Sequence, residues 1–447
     1  MPDHLDPVPD HPERPVPGPD RAVAGPGPVP GPDRDDQGRT VPVSAGAGPV
    51  DGGLEAVYDR IRQEVAARAD RLWDTALALH RDPEPAYEEH RAAGLLTSEL
   101  AREGFRVERG TAGLPTAFTA AAGTGEGPRV ALLMEYDALP GLGHACGHNL
   151  IAAAGLGAAL ALKAALGGPR GSLLAVGTPA EERGGGKVTL VEAGVFDDVD
   201  AALMVHPGVH SWSWAPLTGS AQVRVGFHGR AAHPTGDPTE GIDALGALIQ
   251  LFNTLGVLHR RLPSGSHVQG IITDGGRATN IVPEYAEGLF GLRGATTAAL
   301  EDLAGELERC AEGVAAATGT KVTVERVGGR YEHFRDNPVL SGRFAGHLAR
   351  AGIELTEPEA GVYLGSSDIG NVSTRVPAIH PFIAIMDAAD GSDHTPLFAA
   401  AAASPRGRRV LLAAAEALAC TAAEVLLRPE VSARAWACLR ERAAAGR

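Results

Sequence analysis

The sequence predicts an α/β fold in which a mostly parallel sheet is covered by helices and is interrupted by a smaller α+β unit. The first observation is that apolar, strand-like segments alternate with helical segments between residues 129 and 207. The second is that this pattern gives way, near Pro216, to strands with alternating polar and apolar residues around two long helices. The first pattern is typical of a sheet with helices on both faces, the second of a half-exposed sheet.

A proline-rich tail precedes the folded part of the chain. The first 50 residues contain 13 of the 33 prolines and almost no large apolar side chains. Such a segment cannot bury enough surface to offset its ordering entropy, so residues 1–53 are predicted to be disordered. They are either a dispensable tail or a Pro-rich motif that binds a partner.

The main domain is predicted to begin with residues 54–216. Its first two helices correspond to the segment that ends at Asp82-Pro83 and to residues 87–104. RVALLMEYDAL (129–139) is a nearly continuous apolar run, which is typical of a buried parallel strand. A helix, a strand, a second helix and a second strand are then predicted, in this order, at 150–166, 172–182, 188–194 and 201–207.

Residues 217–329 are predicted to form a domain inserted into the main one. Their elements follow a β-α-β-β-α-β order, with predicted bounds 220–229, 241–262, 267–276, 285–294, 297–319 and 321–328. That order is characteristic of a ferredoxin-like unit. Residues 330–447 return to the main domain, with a buried strand in PAIHPFIAIMD and a long closing helix at 406–427.

Charge and composition restrict the possible partners and compartment. Of the 447 residues, 40 are Lys or Arg and 55 are Asp or Glu, a formal net charge of -15, which argues against a nucleic-acid partner. The four cysteines are widely scattered, so we expect a reducing compartment and a cytoplasmic protein. The alanine-rich segments are interrupted by charges, so no membrane span is expected.

Chemically active side chains recur where predicted strands end, the usual place for ligand sites in open α/β sheets. Each of these segments alone has an ordinary structural interpretation, but their recurrence after apolar strands indicates a common site. Together they offer a thiol, several imidazoles and several carboxylates, a mixture that suits zinc and neighbouring first-row metals. The segments are MEYDALPG (134–141), GHACGHN (143–149), TPAEERGGG (178–186), MVHPG (204–208) and SDHTP (392–396).

Two nucleotide-binding motifs are only partly matched. GLGHAC begins like a dinucleotide fingerprint, but Cys146 stands at the third glycine position and no acidic residue follows where one is expected. GGGKVT resembles a phosphate-binding loop, but Glu181 stands at its first glycine position, where a carboxylate would repel phosphate. Neither motif therefore predicts a nucleotide site.

The order of several motifs resembles the aminoacylase/carboxypeptidase family of two-metal peptidases. The similar segments are DALPGLGHACGHN, TPAEE, MVHPG, HGRAAHP, TNIVPE and DHTP, and the similarity covers residues from about 56 to 430. The branch that they resemble contains hippurate hydrolases, auxin-conjugate amidohydrolases and aminobenzoyl-glutamate hydrolases. Within it, GSSDIGNVS and VPAIHPFIAI are similar to the Xaa-Arg dipeptidase group, which acts on dipeptides ending in basic residues. Glu135 fits this branch, whereas distant carboxypeptidases have a histidine here.

The resemblance implies a pair of catalytic metal ions. Glu181 corresponds to the general base, Asp137 to an aspartate that orients a ligand, and His233 to a histidine that supports the oxyanion at the partner subunit's site. The implied metals are zinc or manganese, although cobalt and nickel tolerate the same ligands. The implied ligands are Cys146 as the bridging thiolate with His148, Glu182, His206 and His394.

Substrate contacts are implied at two residues of the inserted domain, which would serve as a lid and as the dimerisation domain. Asn280 corresponds to a residue that contacts substrate. Arg293 would pair with a substrate carboxylate or is a surface salt-bridge partner. His144 either hydrogen-bonds a ligand or is structural, and His380 is expected to be structural.

The sequence therefore predicts a homodimeric, metal-dependent amidohydrolase that cleaves an amide bond in a dipeptide or N-acyl amino acid, a small-molecule substrate. A water shared by the two metals would attack, with a glutamate as its base. The alternatives are an N-acyl-amino-acid deacylase of a biosynthetic pathway and a non-catalytic binding protein that uses the same groove.

Overall fold

The computed structural model describes residues 52–167, 171–236 and 239–446. The predicted tail, residues 1–53, lies outside the described residues except for its last two. The strands are β1 (Arg106–Arg109), β2 (Phe118–Gly123), β3 (Arg129–Glu135), β4 (Ser172–Thr178), β5 (Ala201–Leu203), β6 (His206–Gly208), β7 (Gly219–His228), β8 (His267–Asp274), β9 (Tyr285–Gly294), β10 (Lys321–Tyr331), β11 (Ala378–Ile379) and β12 (Phe382–Ala384). The α-helices are α1 (Gly52–Ala67), α2 (Ala69–Arg81), α3 (His90–Arg102), α4 (His148–Leu166), α5 (Gly186–Glu192), α6 (Ala244–Leu258), α7 (Thr297–Thr318), α8 (Pro338–Arg350), α9 (Ile369–Ser373), α10 (Pro396–Ala402), α11 (Pro405–Leu427) and α12 (Pro429–Ala444).

The main sheet has the strand order β1-β2-β4-β3-β5-β11. Strands β4, β3, β5 and β11 run parallel, while β1 and β2 form an antiparallel edge. Because side chains alternate along a strand, β3 supplies Val130 and Leu132 to a core shared with α4 and α11, and Ala131 and Leu133 to a second core shared with α5 and α9. Both faces are buried, which confirms the predicted class.

The second sheet, which we call the lid sheet, has the strand order β10-β7-β9-β8 and is antiparallel throughout. Helices α6 and α7 cover one face, where Val225 and Phe227 of β7 pack with Leu251 and Leu307. The order of elements is the predicted β-α-β-β-α-β, so the ferredoxin-like unit is confirmed. The domain boundaries at 217 and 330 remain predictions.

Two predicted strands and one predicted helix are divided in the structure. The segment AALMVHP, expected to be one strand, forms β5 in the main sheet and then β6, which pairs with β12 in a separate two-stranded ladder. The segment PAIHPFIAIMD is divided in the same way into β11 and β12. The long first helix is also interrupted, at Arg68, between α1 and α2. The separate ladder matters for function because β6 begins at His206.

Helices α4 and α11 are long and apolar enough, by length and composition, to cross a membrane. The charges that interrupt these segments, Lys163 in α4 and Glu416 and Glu424 in α11, are too few to change this result. Their most apolar windows are 83% and 78% buried inside the protein, as in the core helices of soluble proteins. Both helices contribute to the larger hydrophobic core, and this burial accounts for their apolar composition.

The close packing of α4 on β3 yields a testable prediction. A methyl group at Gly155 would lie 2.7 Å from the carbonyl oxygen of Leu133 and 2.9 Å from Cγ of Met134. Because overpacking strains a core, Gly155→Ala should lower the free energy of unfolding by about 1–3 kcal/mol in denaturant titrations. Gly256→Ala is the control, since no atom lies within 4 Å of that position in α6. Equal effects of Gly155→Ala and Gly256→Ala on the free energy of unfolding would contradict the close packing of α4 on β3.

Candidate metal centre

The structure brings together the five predicted metal ligands. Cys146 lies just before α4 and His148 begins that helix, while the other three follow β4, begin β6 and precede α10. In each of two groups, one ligand atom per residue lies within 4.8 Å of the others. Cys146 belongs to both groups, which places its thiol between two potential metal positions. The groups are Cys146, His148 and His206, and Cys146, Glu182 and His394.

Close backbone contacts hold the ligand segments together. Gly147 has a left-handed φ of 79°, and a Cβ there would lie 2.4 Å from Cγ of Pro207, so only glycine fits between the two segments. The amide of His394 donates to the carbonyl oxygen of Ala145 over 2.9 Å. Thr395 then caps α10 by accepting a hydrogen bond from the amide of Phe398. The ligand segments are thus joined through the main chain.

Hydrogen bonds orient the two buried imidazoles. Nδ1 of His148 lies 2.9 Å from the carbonyl oxygen of Asp137 and 3.1 Å from its Oδ1, so it acts as the donor. Nδ1 of His206 lies 2.6 Å from the carbonyl oxygen of Pro207. Each ring therefore presents its Nε2 to the centre, the atom with which a neutral imidazole in this orientation would bind a metal. Oδ2 of Asp137 also accepts the amide of Glu182, so one aspartate holds two of the predicted ligands.

The adjacent glutamates Glu181 and Glu182 differ electrostatically. Burial, and then the charges of Glu135 and Asp368, raise the pKa of Glu181 well above its ordinary value. Burial acts in the same direction on Glu182, but the His394 and His148 imidazoles outweigh it and lower that pKa. Neighbouring carboxylates with opposite shifts are suited to different tasks, a proton acceptor and an anionic ligand.

Hydrogen bonds hold the segment that carries Glu181 and Glu182 in a strained backbone conformation. Ala180, just before it, is buried with a left-handed φ of 60°, and its amide donates to Oε1 of Glu89 over 2.9 Å. The phenol of Tyr331, at the end of the lid sheet, donates to the carbonyl oxygen of Glu181 over 2.9 Å. A non-glycine residue in this backbone region is typical of functional sites, where the surrounding structure overcomes the strain.

The donor set fits a pair of divalent cations. Nε2 of His148 and Oε1 of Glu182 are buried and make no hydrogen bond of good geometry, although Oε1 of Glu135 lies 3.1 Å from the first and Nε2 of His394 lies 3.5 Å from the second. Coordination of a metal would satisfy both atoms. Burial raises the pKa of the Cys146 thiol, so a neighbouring cation is needed to hold it as a thiolate. Burial also lowers the pKa of His206 and keeps this imidazole neutral, as a ligand requires.

Three predicted site residues lie on the lid sheet or its loops and are exposed. Nδ1 of His233 accepts the amide of Gly236 over 3.0 Å, and no contact joins it to the centre within the described chain. No side-chain contact of Asn280 is seen among the described residues. Nη1 of Arg293 donates to Oγ of Ser366 over 2.6 Å, and no carboxylate of the described residues lies within ion-pair distance. The salt-bridge alternative for Arg293 therefore finds no partner here.

Two further histidines are buried near the centre. The ring of His144 lies 6.4 Å from that of His80, and burial lowers its pKa to about 3. It makes no hydrogen bond to the predicted ligands within the described residues, which favours the structural interpretation. His380 packs edge-on against His206, with ring centroids 5.5 Å apart, and burial lowers its pKa. Its position agrees with the structural role expected from the sequence.

Sequence reasoning missed the buried charges behind the centre. Lys187 is fully buried, and its ammonium contacts the carboxylates of Glu135 and Asp368. Oε1 of Glu135 in turn lies 3.1 Å from Nε2 of His148. The only sequence signal was the GGGKVT segment, which resembles a phosphate-binding loop. Nothing local to that segment indicates that its lysine is buried among carboxylates.

Comparison with known proteins identifies the family. Residues 131–417 match the family described as Peptidase family M20/M25/M40. The chain belongs to this family. A Xaa-Arg dipeptidase from Mus musculus is 38% identical over 392 residues, covering 84% of this chain and 90% of the relative. One component of the p-aminobenzoyl-glutamate hydrolase of Escherichia coli (strain K12) is 35% identical over 290 residues, 60% of each chain.

Solved structures share the fold. A putative aminohydrolase from methicillin-resistant Staphylococcus aureus superposes with a TM-score of 0.71 at 23% identity, covering 83% of this chain and all of that one. A dinuclear metal-binding peptidase of the M20 family from Bacillus subtilis gives a TM-score of 0.64 at 21% identity, covering 81% of this chain and 99% of that one. Membership of the family makes this chain a metal-dependent hydrolase of peptide or amide bonds.

The contacts of Asp137 predict its effect on metal binding. Because this carboxylate holds both His148 and Glu182, Asp137→Ala should lower the affinity for Zn²⁺ by about 10- to 100-fold. The affinity is measured by competition with a chromophoric chelator. Asp198→Ala, which removes an exposed partner of Arg129, is the control and should bind as wild type. Unchanged affinity in Asp137→Ala would show that the aspartate does not orient the ligands.

Proposed function

We propose that the protein is a two-metal dipeptidase in which Cys146 would be a ligand common to two divalent cations and Glu181 would be the general base. His148 and His206 would complete one metal position, and Glu182 and His394 the other. Zinc or manganese are the proposed metals, because thiolate, imidazole and carboxylate ligands suit both, while cobalt and nickel would also be tolerated. The observation that supports the proposal is the thiol of Cys146, which belongs to both groups of potential ligands.

The bound cations would supply Lewis acidity, which would polarise the scissile carbonyl and make the attacking water more acidic. Glu181 would accept the proton of the attacking water and deliver it to the leaving amine, for which its raised pKa is suited. Glu182 is the anionic ligand beside it. Asp137 keeps His148 and Glu182 in place during these steps, because it bonds both residues.

The proposed substrates are dipeptides with a free carboxylate, and those ending in a basic residue are favoured. The basis is the Xaa-Arg dipeptidase from Mus musculus, which is 38% identical over most of its length. Arg293 would bind the substrate carboxylate, since only a hydroxyl group contacts its guanidinium in the described structure. Asn280 would contact the substrate from the same domain.

A panel of substrates tests this proposal. Metal-reconstituted protein should hydrolyse dipeptides such as β-alanyl-lysine faster than N-acetyl or N-benzoyl amino acids, and a chelator should abolish the reaction. Glu181→Gln should lower kcat by about 100- to 10,000-fold because the proton acceptor is lost. Glu192→Gln, an exposed glutamate at the end of α5, is the matched control.

Three outcomes of this test would contradict specific parts of the proposal. Preference for N-acyl amino acids would indicate the deacylase instead. Turnover unaffected by Glu181→Gln would refute the assignment of the base. Zinc binding without turnover of any amide would indicate a binding protein.

We also propose a homodimer formed through the lid domain, residues 217–329. Strand β8 is the edge of the lid sheet, and its Ile271 is 59% exposed beside the exposed Ile272. On the outside of α6, Ile249 is also exposed and Val257 is 72% exposed. An unpaired edge with exposed isoleucines next to an apolar helix face is suited to pairing with the same surface of a second copy.

His233 would act at the active site of the partner subunit. Its Nδ1 accepts the amide of Gly236, so the proton lies on Nε2, which can donate to an oxyanion. Its exposure, and the lack of a contact with its own centre in the described residues, agree with an action across the dimer.

Hybrid dimers test this assignment. Neither His233→Ala nor Glu181→Gln should be active alone. After subunit exchange of an equal mixture, half of the dimers are mixed and each has one intact site, so about a quarter of wild-type activity should return. Each variant incubated with itself is the control. Native mass spectrometry verifies that the subunits have exchanged. If no activity returns after verified exchange, the result counts against the partner role of His233.

A cytoplasmic location is also proposed. All four cysteines are free in the structure, and two of them, Cys146 and Cys420, are buried. Thiols kept in this form agree with a reducing compartment.

A further inference from the structure

Lys187 is one of three lysines in the chain and is fully buried behind the metal centre. Its ammonium donates to Oδ1 of Asp368 over 2.7 Å, and its amide donates to Oδ2 of the same carboxylate over 2.8 Å. Both oxygens of Asp368 are therefore bonded to Lys187. The ammonium also contacts Oε2 of Glu135, which is 1% exposed. The lysine is thus fixed between two buried carboxylates.

Glu135 links this lysine to the proposed metal ligands. Its Oε1 lies 3.1 Å from Nε2 of His148, the atom that faces the centre. Oxygens of Glu135 and Glu181 and a ring nitrogen of His148 all lie within 4.8 Å of one another. By position and chemistry, Glu135 is therefore a further potential ligand, and its carboxylate, unlike that of Glu182, contacts the ammonium of Lys187.

We propose that Lys187, anchored by Asp368, is a positioning residue that holds Glu135 beside the centre as a carboxylate that does not bind metal. This inference rests on the proposed two-metal function. Its consequence is that Glu135 leaves a coordination position open for the substrate, and that Glu181 is the carboxylate left free to move a proton.

Electrostatics explains why a lysine is needed there. A carboxylate close to a divalent cation is strongly attracted to it, because the field is poorly screened in a buried site. A fixed ammonium offers a competing positive charge, and its hydrogen bonds hold the carboxylate in one orientation. A catalytic metal site must keep a position open, which an additional carboxylate ligand would fill.

A purely structural role would not need these charges. Buried ion pairs are often replaced by apolar residues of similar volume without loss of stability, because desolvation offsets much of their attraction. Here Lys187, Glu135 and Asp368 join α5 to the end of β3 and the start of α9, a junction that apolar side chains could also fill. Their position against a ligand atom points to a role in the chemistry of the centre.

Cobalt binding distinguishes a positioning role of Lys187 from a purely structural one. Metal-free wild type, Lys187→Met and the double variant Lys187→Met/Glu135→Gln are titrated with Co²⁺, and binding is followed by absorption. Lys187→Met should bind Co²⁺ at least as tightly as wild type, with weaker d–d bands because Glu135 becomes an extra oxygen ligand. Its turnover should fall about 10- to 100-fold. Adding Glu135→Gln should restore the wild-type spectrum and raise turnover about tenfold, a non-additive effect.

Lys163→Met is the matched control. This lysine lies in α4, where its Nζ donates to the carbonyl oxygen of Glu103 over 2.7 Å, away from the centre. Its removal should change neither the Co²⁺ spectrum nor turnover. If Lys187→Met does not fold, Asp368→Asn is measured instead. This change weakens the anchoring of Lys187 by Asp368 and leaves the ammonium in place. It should change the Co²⁺ spectrum and the turnover in the same directions as Lys187→Met, but less.

Defined results would overturn the inference. Weaker Co²⁺ binding by Lys187→Met, an unchanged spectrum, or additive losses in the double variant would show that Lys187 only stabilises the fold. Wild-type behaviour of Asp368→Asn, where that variant is the one measured, would do the same. Failure of the proposed function is a different result, since wild-type protein would then bind no Co²⁺ or would lose no turnover in Glu181→Gln.

Discussion

The concentration of negative charge at the centre is the constraint on which the rest of the structure depends. Five carboxylates gather in a poorly hydrated region around the ammonium of Lys187. So many carboxylates in one buried region are costly unless protons or cations balance their charge, and bound divalent cations would supply positive charge there. The buried imidazoles and the thiol add coordinating atoms. The carboxylates are those of Glu135, Asp137, Glu181, Glu182 and Asp368.

The fold meets this constraint by placing charged side chains where strands end and by surrounding them with apolar layers. The parallel strands β3 and β4 deliver Glu135 and the Glu181-Glu182 pair to one edge of the main sheet. The small β6–β12 ladder brings His206 to the same place from outside that sheet. The two hydrophobic cores, one on each face of the main sheet, keep water away from the strands that lead to the centre. Each carboxylate then has a specific neighbour, so that similar groups are given different tasks.

The sequence predicted the alternation of strands and helices and the order of the ligand segments, because both depend on local patterns. It did not predict that AALMVHP is divided into β5 and β6, since the apolar pattern is continuous across the point where the chain leaves the main sheet. It also missed the role of Lys187, whose partner Asp368 is 181 residues away in the chain. A lysine after three glycines is usually exposed, and only the folded chain shows that it is enclosed. The proposed action of His233 at a partner subunit would likewise depend on an assembly that local sequence patterns do not describe.

The exposure of His394 has a consequence for how metal would be gained and lost. Its side chain is 50% exposed, whereas those of His148 and Glu182 are 0% and 10% exposed. Its backbone also has a left-handed φ of 58°, which is unfavourable for a non-glycine residue. Rotation of this imidazole away from the centre needs little rearrangement of the core. The two cation positions would therefore differ in lability: the one that includes His394 would exchange with solvent first, while the one between His148 and His206 would retain its ion longer.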